Sequence, residues 1–287
     1  MNILITGSGG LIGSSLKEKL KENHKLFDLK RKSGLADDAG VTFIELDLST
    51  DWDYSKLPEK ADVIYHIAQS DHFREFPGMA MDVFKVNTYS TVKLLDYAVK
   101  AGVKKFIYAS SGGIYGFGDT GFTEEAEITA HGDLGFYIGT KICSEILVEN
   151  YSNIFDVSII RFFFVYGASQ KKSMLIPRLV ENIRDGKPIL LHGYEGIKIN
   201  PVYVEDAAEA LAKCMDLSKS HKINIGGAEV LSLKQICLII GEALGKNPIF
   251  ELKTEIEPKN IYGDIKKMCD LLVAPKTSFK EGIKKLL

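Results

Sequence analysis

Thr6-Gly7-Ser8-Gly9-Gly10-Leu11-Ile12-Gly13 decides how the rest of this chain is read. An apolar run, Ile3-Leu4-Ile5, leads into it. Leu11 to Leu20, with apolar residues at helical spacing, leads out of it. Strand, glycine turn and helix in that order form a phosphate-binding unit. Glycine permits the tight bend, lets the backbone come close to a pyrophosphate, and lets the helix pack on the strand. The free N–H groups and the positive dipole end of the helix then face the phosphates.

Working outward, strands and helices alternate. Leu26-Phe27-Asp28-Leu29 reads as a second strand, ending in Lys30-Arg31-Lys32, and Val41 to Leu46 as a third, ending at Asp47-Leu48. Val63 to Ala68 is continuously apolar, as a strand covered on both faces requires. Val83 to Val99 has the pattern of one long helix, Lys105 to Ala109 that of a fifth strand, and a helix begins at Phe136. The expected fold is α/β: a Rossmann-type doubly wound parallel sheet with a smaller α/β C-terminal lobe. The dinucleotide-binding part spans 1–167, with 197–217 returning to it; 168–196 and 218–287 form the substrate lobe. In that lobe Ser232-x-x-Gln235 reads as a capping box opening a helix, and the lysine-rich tail reads as a solvated face.

Composition bounds the function. The chain has 287 residues, 45% of them apolar, enough for a sizeable core. A formal charge of −2 excludes a bulk field that would drive it onto nucleic acid or membrane. Cys143, Cys214, Cys237 and Cys269 are scattered without a C-x-x-C, which fits reduced thiols and a cytoplasmic location. No apolar run is long enough to span a bilayer. The 6 histidines have no metal-ligand spacing, and no metal is expected.

Tyr-x-x-x-Lys puts a phenol and an ammonium one helical turn apart on one face. The cation favours the phenolate, so the expectation is a tyrosine with a lowered pKa that works as acid and base. The pattern occurs at Tyr89/Lys93, Tyr137/Lys141, Tyr194/Lys198 and Tyr262/Lys266. Position selects Tyr137/Lys141. Its helix follows the strand that delivers Ser110-Ser111-Gly112-Gly113 to the sheet edge, where ligands bind.

The wide spacing Gly7-x-x-Gly10-x-x-Gly13, then Asp47, Asn87, Ser111 and Tyr137/Lys141 in this order, resembles the extended short-chain dehydrogenase/reductases, and among them the NAD-dependent epimerase/dehydratase (nucleotide-sugar) family. The resemblance continues through Gly186-Lys187-Pro188, Val202-Tyr203-Val204-Glu205-Asp206 and Asn224-Ile225-Gly226-Gly227. It implies that Tyr137 moves a proton on or off the substrate oxygen, that Ser111 hydrogen-bonds the same oxygen, and that Lys141 holds the nicotinamide ribose. Asn87 would keep a proton path or a helix kink in order. Gly7, Gly10, Leu11, Ile12 and Gly13 would hold the pyrophosphate, Asp47 and Leu48 the adenine, and Ala68 the cofactor face. At Lys30 and Arg31, where an acid selects NAD, basic residues lean toward NADP; if the strand ends early, Asp28 takes the acidic role and NAD returns.

Four departures narrow the chemistry. Gln69 stands where a second small residue is usual. Ser111-Gly112-Gly113 lacks the Asp-Glu pair of sugar 4,6-dehydratases, so dehydration is not expected. Phe164 stands where an asparagine often meets the nucleotide sugar. Ile199-Asn200-Pro201 replaces an arginine for the substrate diphosphate, for which Arg178 or Lys198 would substitute. The leading expectation is an NAD(P)-dependent epimerase or keto-reductase acting on a nucleotide sugar, as a homodimer paired through the Val83–Val99 and Tyr137–Val148 helices. The alternatives are an NADPH-dependent reductase of a non-sugar carbonyl and a non-catalytic dinucleotide sensor.

Overall fold

The computed structural model describes residues 1–31, 40–129 and 135–287. Lys32 and the residues just before Gly135 lie outside them. In chain order come β1 (Asn2–Thr6), α1 (Leu11–Leu20), β2 (Lys25–Lys30), β3 (Val41–Glu45), β4 (Val63–His66), α2 (Ala80–Phe84), α3 (Ser90–Ala101), β5 (Lys105–Ser111), α4 (Gly135–Glu149) and β6 (Asp156–Phe162). There follow β7 (Val165–Tyr166), α5 (Leu175–Arg184), β8 (Ile189–His192), β9 (Lys198–Ile199), β10 (Val202–Tyr203), α6 (Val204–Lys213) and β11 (His221–Ile225). The chain ends with β12 (Leu231–Ser232), α7 (Leu233–Leu244), β13 (Phe250–Lys253), α8 (Lys266–Leu271) and α9 (Phe279–Leu286).

The central sheet has 7 strands in the order β11-β6-β5-β4-β1-β2-β3, and every pair in it is parallel. Alternation along the strands sends successive residues to opposite faces. Ile3 and Ile5 pack with α1 and α6 through Leu16, Leu20, Ala207 and Leu211. Leu4, Ile64 and Phe106 pack on the other face with Leu94, Leu95 and Ala98 of α3 and Val148 of α4. The strand order turns outward in both directions between β1 and β4. That switch point opens a crevice at the carboxyl ends of the strands.

The two-stranded pairs β7–β10, β9–β12 and β8–β13, with α5, α7 and α9, build the smaller lobe around Leu179, Ile236, Ile240 and Phe279. The capping box forms at Ser232 and Gln235 as the sequence indicates. No helix among the described residues is long and apolar enough to cross a membrane.

Three expectations need correction. The Val83–Val99 helix is two helices joined by a π turn over Lys85–Tyr89, and α3 buries Thr91, Leu94, Leu95 and Ala98 while Val92 and Val99 stay exposed. The extra residue in the turn rotates the buried face away from the one that simple periodicity gives. Second, β11 pairs with β6, so the chain returns to the central sheet at 221–225, a segment read from sequence as lobe. Third, the tail is not simply a solvated face. Phe279 and Ile283 of α9 are buried, and the Phe279 ring lies 5.2 Å from Tyr166. Two apolar residues four apart are enough to seat so short a helix, and its lysines mask them in the sequence.

Candidate active site

A cleft of about 700 Å³ runs along the switch point. Its first wall is the glycine turn. Gly7 has φ +80, and a Cβ there would meet the Ala68 backbone N at 2.7 Å. A Cβ on Gly13 would stand 2.2 Å from the Gly7 carbonyl oxygen. The turn and α1 thus close on each other and on β4 with no room for side chains. The N-terminus of α1 has no side-chain cap, so its first N–H groups remain for a ligand. This cradle fits a dinucleotide pyrophosphate. Gly7, Gly10, Leu11, Ile12, Gly13, Lys30, Arg31, Asp47, Leu48 and Ala68 all line the cleft.

The basic end of β2 is paired with carboxylates. Lys30 Nζ lies 3.4 Å from Asp28 and 4.5 Å from the centroid of the Phe43 ring. Asp28 is fully buried and accepts a hydrogen bond from Ser8 Oγ of the glycine turn. Arg31 pairs with Asp71 at 2.8 Å, and Lys171 reaches the same carboxylate at 2.6 Å. Each cation already faces a carboxylate, so the lean toward NADP finds no support. Asp47 uses Oδ1 to accept both the N–H and the hydroxyl of Ser49, capping its turn while it lines the cleft.

Ser111 and Tyr137 meet across the floor. Ser111 ends β5, and its Oγ accepts the Gly113 N–H at 3.1 Å, which leaves its own proton available. Tyr137 sits in the first turn of α4, with Phe73 5.2 Å from its ring. Its hydroxyl donates to Gln69 Oε1 at 3.1 Å. Lys141, one turn on, is buried and donates to the Ala109 carbonyl at 2.8 Å, with Nζ 5.9 Å from the Tyr137 ring centroid. Burial raises the Tyr137 pKa to about 12, opposed by the Ser111 hydrogen bond. Burial also lowers that of Lys141 to about 8, opposed by Glu145. The expected lowering of the phenol is therefore not found, because desolvation of the buried phenol decides the direction. The other Tyr-x-x-x-Lys pairs do other work: Tyr89 and Lys93 share Asp51, Tyr194 is exposed, and Tyr262 donates to the Asp119 carbonyl.

Asn87 is buried behind Tyr137 in the π turn. Its Oδ1 accepts the Ser70 N–H at 2.9 Å, and its Nδ2 donates to Thr140 Oγ1 at 3.0 Å. Phe164 lines the cleft with φ +44, a left-handed conformation that strains a phenylalanine. The structure does not bring Arg178 or Lys198 to the cleft. Both are exposed in the lobe, and the Lys198 N–H donates to Asn260 Oδ1. The sequence marks Gln69 only as a departure and Asp71 to Gly78 only as a polar, aromatic loop over the ligand edge, and it gives no role to Lys171 or Met174; Gln69, Asp71, Phe73, Lys171 and Met174 all line the wall. The one available signal was that Gln69, Asp71 and Phe73 follow a buried strand directly.

The family model for the NAD dependent epimerase/dehydratase family matches residues 3–226, and this chain belongs to that family. It is 30% identical to an uncharacterized UDP-glucose epimerase, YtcB, of Bacillus subtilis (strain 168), over 99% of this chain and 96% of that protein. It superposes with a TM-score of 0.86, at 26% identity and over 99% and 97% of the two chains, on the crystal structure of UDP-glucuronic acid 4-epimerase from Bacillus cereus in complex with UDP-glucuronic acid and NAD. It is also 26% identical to the dTDP-D-glucose 4,6-dehydratase of Homo sapiens, over 99% of this chain and 88% of that one.

Proposed function

We propose that the protein is an NAD-dependent epimerase of a nucleotide sugar, with Tyr137, Ser111 and Lys141 as its acid–base group. The observation that carries this reading is the convergence of the Tyr137 and Ser111 hydroxyls on the floor of a cleft whose far wall is the glycine turn. A bound oxidised nicotinamide supplies a hydride acceptor and a positive charge beside the phenol. Tyr137 takes the carbinol proton and later returns it. Ser111 holds the oxygen while it changes from hydroxyl to ketone. Lys141 holds the cofactor ribose and biases Tyr137 toward phenolate. NAD is favoured over NADP by the ion pairs at Lys30 and Arg31. Elimination of water is disfavoured because Gly112 and Gly113 place no acid or base beyond Ser111; a Cβ on Gly112 would overlap the Phe163 ring.

The assembly is a homodimer. Met81, Phe84, Val92 and Val99 near or on α2 and α3, with Ile146 on α4, leave apolar side chains in solvent, which supports pairing through these helices.

The test is incubation of the purified holoprotein with UDP-glucuronic acid and with UDP-glucose, read by proton NMR. Nucleotide released on denaturation is identified in parallel. Epimer formation with retained NAD, lost by at least about a thousandfold in Tyr137→Phe, is the expected result. Net reduction with NADPH would point to the reductase reading. Turnover unaffected by Tyr137→Phe would overturn the acid–base assignment.

A further inference from the structure

Among the described residues, one polar side chain beyond the Ser-Tyr-Lys group touches the Tyr137 hydroxyl. Gln69 follows β4 by three residues, is exposed into the cleft, and accepts the Tyr137 proton at 3.1 Å. Ser111 lines the same cleft and acts on the same phenol. The phenol oxygen thus has an amide bonded to it at the cleft floor, where a substrate oxygen must arrive.

We propose that Gln69 is a positioning residue for Tyr137, whose side-chain amide serves the phenol in both of its protonation states. The inference rests on the acid–base reading of Tyr137 given above. An amide carries an acceptor and two donors on one rotatable group. While Tyr137 is a phenol, Gln69 Oε1 accepts its proton. When Tyr137 is a phenolate, the amide turns and Nε2–H donates to it. In the oxidative half-reaction the substrate O–H bond breaks and its proton forms the Tyr137 O–H bond, while the C–H electron pair leaves to NAD as hydride. The reductive half is the reverse. A group that could only accept would suit the phenol and oppose the phenolate. A group that could do neither would leave Tyr137 to Ser111 alone. Among the described residues, the titratable groups facing Tyr137 are Lys141 on its own helix and Tyr108 on β5, and both remain in the variants below.

Two variants separate the roles. Gln69→Leu keeps the bulk and removes both hydrogen-bonding functions. Gln69→Glu keeps the acceptor and adds a charge beside the phenolate. With tyrosine labelled at 13Cζ, the Tyr137 resonance, assigned by its loss in Tyr137→Phe, should move in both variants; this reading needs no substrate. In the holoenzyme, turnover of UDP-glucuronic acid should fall about tenfold in Gln69→Leu, the loss of one hydrogen bond. In Gln69→Glu the alkaline-rising limb of the oxidative direction should move up by at least about one pH unit, because the carboxylate raises the Tyr137 pKa. An unmoved Tyr137 resonance overturns the proposal. So does an equal loss in both variants with the pH profile unchanged, which would mean that Gln69 only shapes the cleft. If Tyr137→Phe abolishes turnover while both Gln69 variants match wild type, this inference fails and the proposed function stands.

Discussion

Acidification from pH 7.5 to 5.0 should remove about 2 kcal/mol of folding stability through one side chain, His66. The imidazole is fully buried at the end of β4, with Nδ1 2.8 Å from Thr6 Oγ1 and Nε2 2.9 Å from Thr91 Oγ1. Burial, and then the charge of Lys141, hold its pKa down to about 3, against 6.5 for an ordinary histidine. The folded-state pKa is lowered, so the unfolded chain binds the proton first. Stability is complete above pH 6.5 and is lost as pH falls from there toward 3. Over this window the slope approaches about 1.36 kcal/mol per pH unit, which between 7.5 and 5.0 integrates to about 2 kcal/mol. The assay is urea unfolding followed by fluorescence of the single tryptophan, Trp52, which is buried in the sheet core. His66→Gln should be less stable than wild type at pH 7.5, since Thr6 and Thr91 lose their partner. The gap should shrink by about 2 kcal/mol at pH 5.0, because the variant has nothing to protonate there. His24, whose pKa is also lowered by burial, is present in both proteins and cancels. A gap of equal size at the two pH values would refute the reasoning.

Gly13→Ala should abolish NAD binding in calorimetry, because its Cβ would stand 2.2 Å from the Gly7 carbonyl oxygen; Gly9→Ala, with nothing within 4 Å, should leave the urea midpoint within the equivalent of about 0.5 kcal/mol. Arg161 is buried, bonds Glu145 at 3.1 and 2.7 Å, and reaches the Tyr115 hydroxyl at 2.6 Å. Arg161→Met should cost about 3–5 kcal/mol in urea unfolding by stranding that carboxylate, and Arg161→Met combined with Glu145→Leu should recover much of it.

What could be read in the sequence was what depends on neighbours along the chain. The glycine turn, the helix from Leu11 to Leu20 and the capping box at Ser232 are local, and each formed where expected. Placing Tyr137 at the cleft, among four matching pairs, needed only a count of strands. What escaped depends on distant partners. Lys30 and Arg31 are visible as cations, but the carboxylates that occupy them come from inside β2 and from the loop after β4. Asp28, two residues before Lys30 on the same strand, is buried, and its use by Ser8 is tertiary. The sign of the Tyr137 shift was missed because spacing reveals a nearby ammonium and says nothing of burial. Arg178 and Lys198 were proposed by analogy with an arginine that this chain lacks, and a side chain on a different element does not inherit its direction.

The polarity of the hydrogen bonds around His66 explains how the glycine turn and the Tyr137 helix hold a common frame. The Ala68 N–H donates to Thr6 Oγ1, which also lies 2.8 Å from His66 Nδ1. The Thr91 hydroxyl donates to the Asn87 carbonyl, so it accepts from His66 Nε2. The ring is thereby fixed as the neutral Nε2–H tautomer. From Asn87 the chain passes through Nδ2 to Thr140 Oγ1, which donates to the Tyr137 carbonyl at 2.7 Å. The Ser144 hydroxyl of α4 is shared between the Asn87 and Thr140 carbonyls, at 2.9 and 2.8 Å. The bonds through His66 and Asn87 thus run in one consistent direction, with each of these buried groups partnered. The π turn makes it possible. A widened turn at Lys85–Tyr89 accommodates Asn87 side-chain bonds to the β4 loop and α4 while its carbonyl takes two side-chain hydroxyls. The distance from the phosphate cradle to the Tyr137 hydroxyl is then set by protein bonds that exist before any ligand arrives. Such preorganisation is what an acid–base site needs if it is to stabilise a developing charge without first rearranging.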